Sequence, residues 1–215
     1  MITNYHTTEE IMREVANDLP HLSKKQSHLI SRFAREARQR NKFPFTKMYE
    51  YTSPNKNKIL YKWIADKRGN VKNPIEATMF VWNTDKGMAC AMPTDITPLT
   101  FGVKANGIVF KPHFISRYNE RLGLNLSPMD TIKHMLVNNP TYISKDIDEK
   151  ICKYSKELEN KQGKVAMGCN DGIALGNDDN KGNKVAVTFV SNSMLFKEQS
   201  EFAEGARKSI ASIKY

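Results

Sequence analysis

The chain has 215 residues, 40% of them hydrophobic and 26% charged, with a formal net charge of +10. That is enough apolar material for one good core, or one core plus a small helical appendage, and too ordinary a charged share for wholesale disorder. The positive excess makes a long-range field that attracts polyanions, so nucleic acid is the first partner to expect and an anionic membrane surface the second.

The polar, acidic start MITNYHTTEEIMREV lacks the basic and then apolar regions of a secretory signal, so no export is expected. Thr7 and Thr8 ahead of Glu9 and Glu10 read as a helix start. The spacing of Ile11, Val15 and Leu19 predicts a helix over 8–19, ended by Pro20. A second helix is predicted over 23–40, where Leu29, Phe33 and Ala37 build an apolar face. Its other face is basic: from His21 through Lys42 there are seven Lys or Arg and a single acid, Glu36.

The period then changes. KILYKWIA (58–65) and IEATMFVWN (75–83) are rich in β-branched and aromatic residues and predict strands. A tight turn at Thr84-Asp85-Lys86-Gly87 leads into a short strand over 88–92, then a loop with Pro93 and Pro98, then a strand over 107–111. Pro112 opens a helix that ends at Gly123. Ser127 and Pro128 open the next, which runs to about Asn138 before Pro140. A marginal helix over 149–158, strands over 164–169, 171–175 and 184–191, and a final helix over 196–213 complete the pass. The fold class expected is α+β: N-terminal helices followed by antiparallel sheet(s) with packed helices. Residues 1–45 form a basic helical region, and 46–215 an α+β domain.

No apolar run approaches the roughly 20 residues that span a bilayer, so no membrane partner is expected. Cys90, Cys152 and Cys169 are odd in number and form no CxxC pair, which argues against a disulfide framework and for a reducing, cytoplasmic setting. The five histidines are scattered, and neither a metal nor any other cofactor is expected.

The residues with the sharpest chemical content are His113, Arg117 and Arg121. On a helix, a spacing of four and four keeps them in one stripe, beside an apolar stripe of Phe114, Tyr118 and Leu122. An imidazole exchanges a proton near neutrality, and guanidinium forks grip phosphate oxygens and stabilise charge on phosphorus. The competing reading is a wet helix face with Arg117 paired to Glu120. On the strand over 184–191, alternation puts Val185, Val187, Phe189 and Ser191 on one side and Ala186, Thr188 and Val190 on the other. Lys24, Lys25, Arg32, Arg35, Arg38 and Arg40 are candidates for tracking a phosphate backbone. Trp63 and Trp82 lie on apolar strands and read as core, and His134 reads as a packed or surface histidine.

The pattern His113-x-x-x-Arg117-x-x-x-Arg121, followed by Asp171–Gly176 and Val187-Thr188-Phe189-Val190, resembles the superfamily of small ribonucleases that includes RelE-type toxins, barnase-like enzymes and the nuclease domains of some colicins. The resemblance spans 110–195, with the nuclease-like part at about 107–200, and nothing before Phe110 resembles a named family. It implies a metal-independent endoribonuclease working by transesterification, with His113 as general base or acid. Arg117 and Arg121 would stabilise the phosphorane and Thr188 would hold a phosphate oxygen. It also implies RNA in preference to DNA, assistance from the ribosome, and an antitoxin or immunity protein as partner. The alternative is a non-catalytic DNA- or RNA-binding accessory protein of a phage or mobile element. The enzyme requires His113 and Arg117 to converge in a cleft; the binding module requires only a continuous basic surface.

Overall fold

The two periods seen in the sequence, 3.6 and 2, sort into helices and strands in a computed structural model that describes residues 1–146, 163–179 and 181–213. The described helices are α1 (Thr8–Arg38), α2 (Pro112–Arg121), α3 (Pro128–Asn138) and α4 (Lys197–Ser212). The described strands are β1 (Phe45–Thr52), β2 (Lys58–Ala65), β3 (Ile75–Thr84), β4 (Gly87–Leu99), β5 (Gly102–Phe110), β6 (Ile143–Asp146), β7 (Lys164–Gly168), β8 (Gly172–Asp178) and β9 (Lys184–Ser191). The fold is α+β. All nine strands join one sheet in the order β1-β2-β3-β4-β5-β9-β8-β7-β6. Each neighbouring pair is antiparallel except β5 and β9, which run parallel over Ile108–Phe110 and Lys184–Ala186. The sheet is therefore mixed, not purely antiparallel.

Alternation along the strands divides the apolar residues between two faces. On one face, Ile59, Trp63 and Val109 pack with Ile11, Val15 and Phe33 of α1. Farther along that face Ala166, Ile173 and Leu175 pack with Ala203 of α4. Close approach there relies on a missing side chain, since a Cβ at Gly168 would lie 2.4 Å from that of Ala206. The opposite face carries the largest cluster, where Leu60, Phe110, Met167 and Phe189 meet Phe114 and Tyr118 of α2 and Ile132 and Met135 of α3. The result is three layers, with α1 and α4 on one side and α2 and α3 on the other. No described helix is long and apolar enough to cross a membrane.

Several local expectations hold. Thr7 caps α1 in a reciprocal box with Glu10, and Ser127 caps α3 with Pro128 in its first turn. Others change. Pro20 does not end a helix; α1 runs through it for 31 residues. The loop expected around Pro93 and Pro98 is instead the outer part of β4, which with β5 forms a hairpin closed by Thr100 and Phe101. Beyond Ala91, β4 pairs only with β5. Pro98 faces Val103, one step from the Leu99–Gly102 pair at the turn. That is a non-hydrogen-bonded position, so the missing N–H costs no ladder bond. Pro93 sits at a register shift. Strands β1 and β6 were not expected at all. The helix expected over 149–158, and Cys152 with it, lie outside the described residues, while Cys90 and Cys169 are buried and free.

Candidate nucleic-acid interface

At about 100° per residue, the buried residues Ile11, Val15, Leu22, Phe33 and Ala37 of α1 occupy one side of the helix. Arg13, Lys24, Arg35 and Arg38 fall within an arc of about 60° on the other side, and all four are exposed. Packing on the sheet thus forces the basic stripe outward. From Arg13 to Arg38 it runs for about 38 Å. Lys25 and Arg32 flank it and are exposed as well, as is Arg40 just past the helix end.

The cations differ in how far they are already neutralised. Arg32 Nε lies 2.9 Å from Glu36, and Lys47 also donates to that carboxylate. Lys47 first, and then Arg32, hold the Glu36 carboxyl below its ordinary range. Arg40 lies over the Phe45 ring, 5.6 Å from its centre. Lys24, Lys25, Arg35 and Arg38 enter no ion pair among the described residues.

The candidates on α2 and β9 are arranged differently. His113, Arg117 and Arg121 do share one side of α2. His113 is exposed, and Arg117 and Arg121 are half-buried. Arg117 Nη1 donates to Glu120 at 2.8 Å, while its Nε is buried without a partner among the described residues. Thr188 is not with them. A register shift leaves Val187 unpaired, so Ala186 and Phe189 face the same core and the simple alternation fails. Thr188 is paired with Leu175, on the α4 side of the sheet, and its buried hydroxyl has no described partner. The sheet therefore separates Thr188 from the α2 stripe, and the α1 stripe from the α2 stripe also.

A polar knot that sequence reasoning missed ties α2 to α3 and to the β7–β8 turn. The Tyr118 hydroxyl donates to Asp171 and lies 3.1 Å from His134 Nδ1. Asn139 Nδ2 donates to Tyr118 Oη at 3.0 Å and to Asp171 Oδ2 at 2.8 Å. Asp171 N donates to Asn139 Oδ1 at 3.2 Å. Burial, reinforced by Asp171, pushes the Tyr118 hydroxyl far up from its ordinary pKa, so it stays a neutral donor. Tyr118 and Asn139 are fully enclosed, so at its centre the knot is a tie between elements. His134 is thus half-buried and held by Tyr118 and Asn138.

Compared with family models, curated proteins and solved structures, the chain matches none of them.

Proposed function

We propose that this protein binds nucleic acid, RNA before DNA, by laying the phosphate backbone along the outer face of α1. The observation that carries the reading is the line of exposed guanidinium and ammonium groups from Arg13 to Arg38, with Lys24, Lys25, Arg35 and Arg38 free of carboxylate partners among the described residues. Unneutralised cations at that spacing displace counterions from a polyanion, which supplies sequence-independent affinity. Phe101, 94% exposed at the tip of the β4–β5 hairpin, adds a face on which an unpaired base can stack.

The test is a titration of labelled single-stranded and duplex RNA and DNA at several salt concentrations. Neutralising about four phosphates predicts a log–log salt slope near −3 on a single strand. Arg35→Glu with Arg38→Glu should weaken every sequence alike and flatten that slope by at least about 1.4. No binding to any of these strands at low salt removes the reading.

Endoribonuclease activity is the second reading, supported by the side-by-side placement of exposed His113 with Arg117 and Arg121 on α2. Cleavage in EDTA that stops on an all-deoxy strand, and that falls about 10²–10⁴-fold in His113→Ala with binding retained, is its signature. Full activity in His113→Ala sinks the role of that residue. The two stripes lie on opposite faces of the sheet, so phosphate bound along α1 is not presented to His113.

A further inference from the structure

Where α1 begins to cross the sheet, it does not close onto the β4–β5 hairpin. A cavity of about 550 Å³ remains between them, within the size range of small-ligand sites. Its walls are chemically divided. Met12 and Ala16 of α1 with Val103 and Ala105 of β5 give an apolar interior, and Leu99, 53% exposed, stands at the edge. Arg13 of α1, Lys104 of β5 and Lys181 of the β8–β9 turn bring cations to it from three separate elements. Among the described residues one acid lines it, Glu9, and that acid is already committed to Lys181 at 2.5 Å. Arg13 and Lys104 are both exposed.

The opening is held in place by buried polar contacts. Asn183, 3% exposed, donates through its backbone and side chain to Asp179 and accepts from Gly107 N at 3.3 Å. This fixes the β8–β9 turn, and hence Lys181, against β5. The cavity is therefore a feature of the fold with an apolar interior and a cationic rim. A ligand that matches both has a weakly polar part and an anionic part. A nucleotide has both, and Arg13 also begins the basic stripe of α1.

We propose that this cavity binds one nucleotide unit, with its base against Met12 and Val103 and its phosphate against Arg13 and Lys104. The inference rests on the reading of α1 as a phosphate track and extends it, because the cavity would hold an unstacked nucleotide of the same strand. A free mononucleotide and a nucleotide within a strand present the same chemistry, so both are measured.

The experiment uses the full chain and titrates the four ribonucleoside 5′-monophosphates and a labelled RNA of about 12 nucleotides. Val103→Trp fills the cavity from a half-buried strand position. Lys104→Glu alters an exposed charge and leaves the core untouched. At least one monophosphate is expected to bind with a Kd of about 1 mM or tighter. Val103→Trp should weaken it about tenfold or more, and Lys104→Glu about threefold or more. Arg35→Glu with Arg38→Glu should leave monophosphate affinity unchanged while weakening the 12-mer. If the 12-mer binds but no monophosphate does, or if Lys104→Glu and a folded Val103→Trp both leave monophosphate binding intact, the cavity proposal is overturned and the phosphate track stands. If a monophosphate binds and responds to both substitutions while the 12-mer fails to bind, the cavity proposal stands as a free-nucleotide site and the phosphate track is overturned.

Discussion

At the scale of single residues, two buried charges show what contact with distant segments does. Asp18 is fully buried in α1, yet it accepts from Ser53 Oγ at 2.6 Å, Asn55 Nδ2 at 2.8 Å and Asn57 Nδ2 at 2.6 Å. Its carboxylate is met by the β1–β2 turn, so its burial does not leave an unmatched charge. Lys62 is 1% exposed on β2 and donates to Val137 O at the C-terminal end of α3 at 2.7 Å. Burial lowers its pKa from 10.5 to about 8. Between those two values the unfolded chain holds a proton that the folded chain has released, so stability rises with pH across that window. The rise from this group is on the order of 3 kcal/mol when complete. Lys62→Met should remove it. Urea midpoints at pH 7 and pH 10 should diverge for the wild type and differ less for the variant; equal pH dependence in the two proteins excludes Lys62 as the cause. Neither charge is legible in the sequence. An acid within a helix and a lysine on a strand look solvated until partners 35 and 75 residues away arrive. The knot around Tyr118 was hidden for the same reason. By contrast, the basic positions of α1 were readable, because helical period and charge are both local.

At the scale of elements, prolines marked the places where local reading and structure parted. A proline inside a helix removes one backbone bond and crowds the preceding turn, at a cost of about 3 kcal/mol relative to alanine. Helix α1 accepts Pro20 because residues on both sides of it are buried: Ile11 and Val15 before, Phe33 and Ala37 after, all in one cluster. Apolar burial over the whole length outweighs the local break. Pro20→Ala should therefore raise stability, by about 1–3 kcal/mol. For a chain of this size that is a thermal midpoint higher by several degrees, at about 2–4 °C per kcal/mol. A lower midpoint would mean that both halves of α1 reach the sheet only through the conformation Pro20 imposes. The strands repeat the lesson. Lys184–Ser191 announces itself by β-branched residues and is observed with those bounds. β1, with charged and polar residues between its aromatics, reads as a strand only once β2 supplies the neighbouring ladder. The bulge at Val187 was likewise silent, and it undid the simple alternation used to place residues on β9.

At the scale of the whole molecule, the sheet consists of two antiparallel blocks, β1–β5 and β6–β9, joined by one short parallel seam. Only three residue pairs define its register: Ile108 with Lys184, Val109 with Val185, and Phe110 with Ala186. Parallel pairing is slightly weaker per residue, so so short a seam is a poor candidate for coupling the blocks by backbone bonds alone. Side chains supply the missing coupling. The core beneath α2 and α3 takes Leu60, Met79 and Met92 from the first block and Val165, Ala174 and Phe189 from the second. Phe110 sits where they meet, fully buried, with ring centres 5.1 Å from Phe114 and 5.3 Å from Tyr142. If this shared core governs cooperativity, the blocks unfold together. Both tryptophans, Trp63 and Trp82, lie in the first block, whereas far-UV circular dichroism averages over the entire chain. The two signals should therefore show coincident urea transitions in the wild type. Phe110→Ala removes a buried ring at the seam and should cost about 3–5 kcal/mol, shifting both midpoints downward by about 1–2 M. Coincidence should survive that shift if the many remaining contacts across the core still bind the blocks. Transitions that already separate in the wild type would refute the coupling. Separation only in Phe110→Ala would show that this one ring carries the link, not the core as a whole.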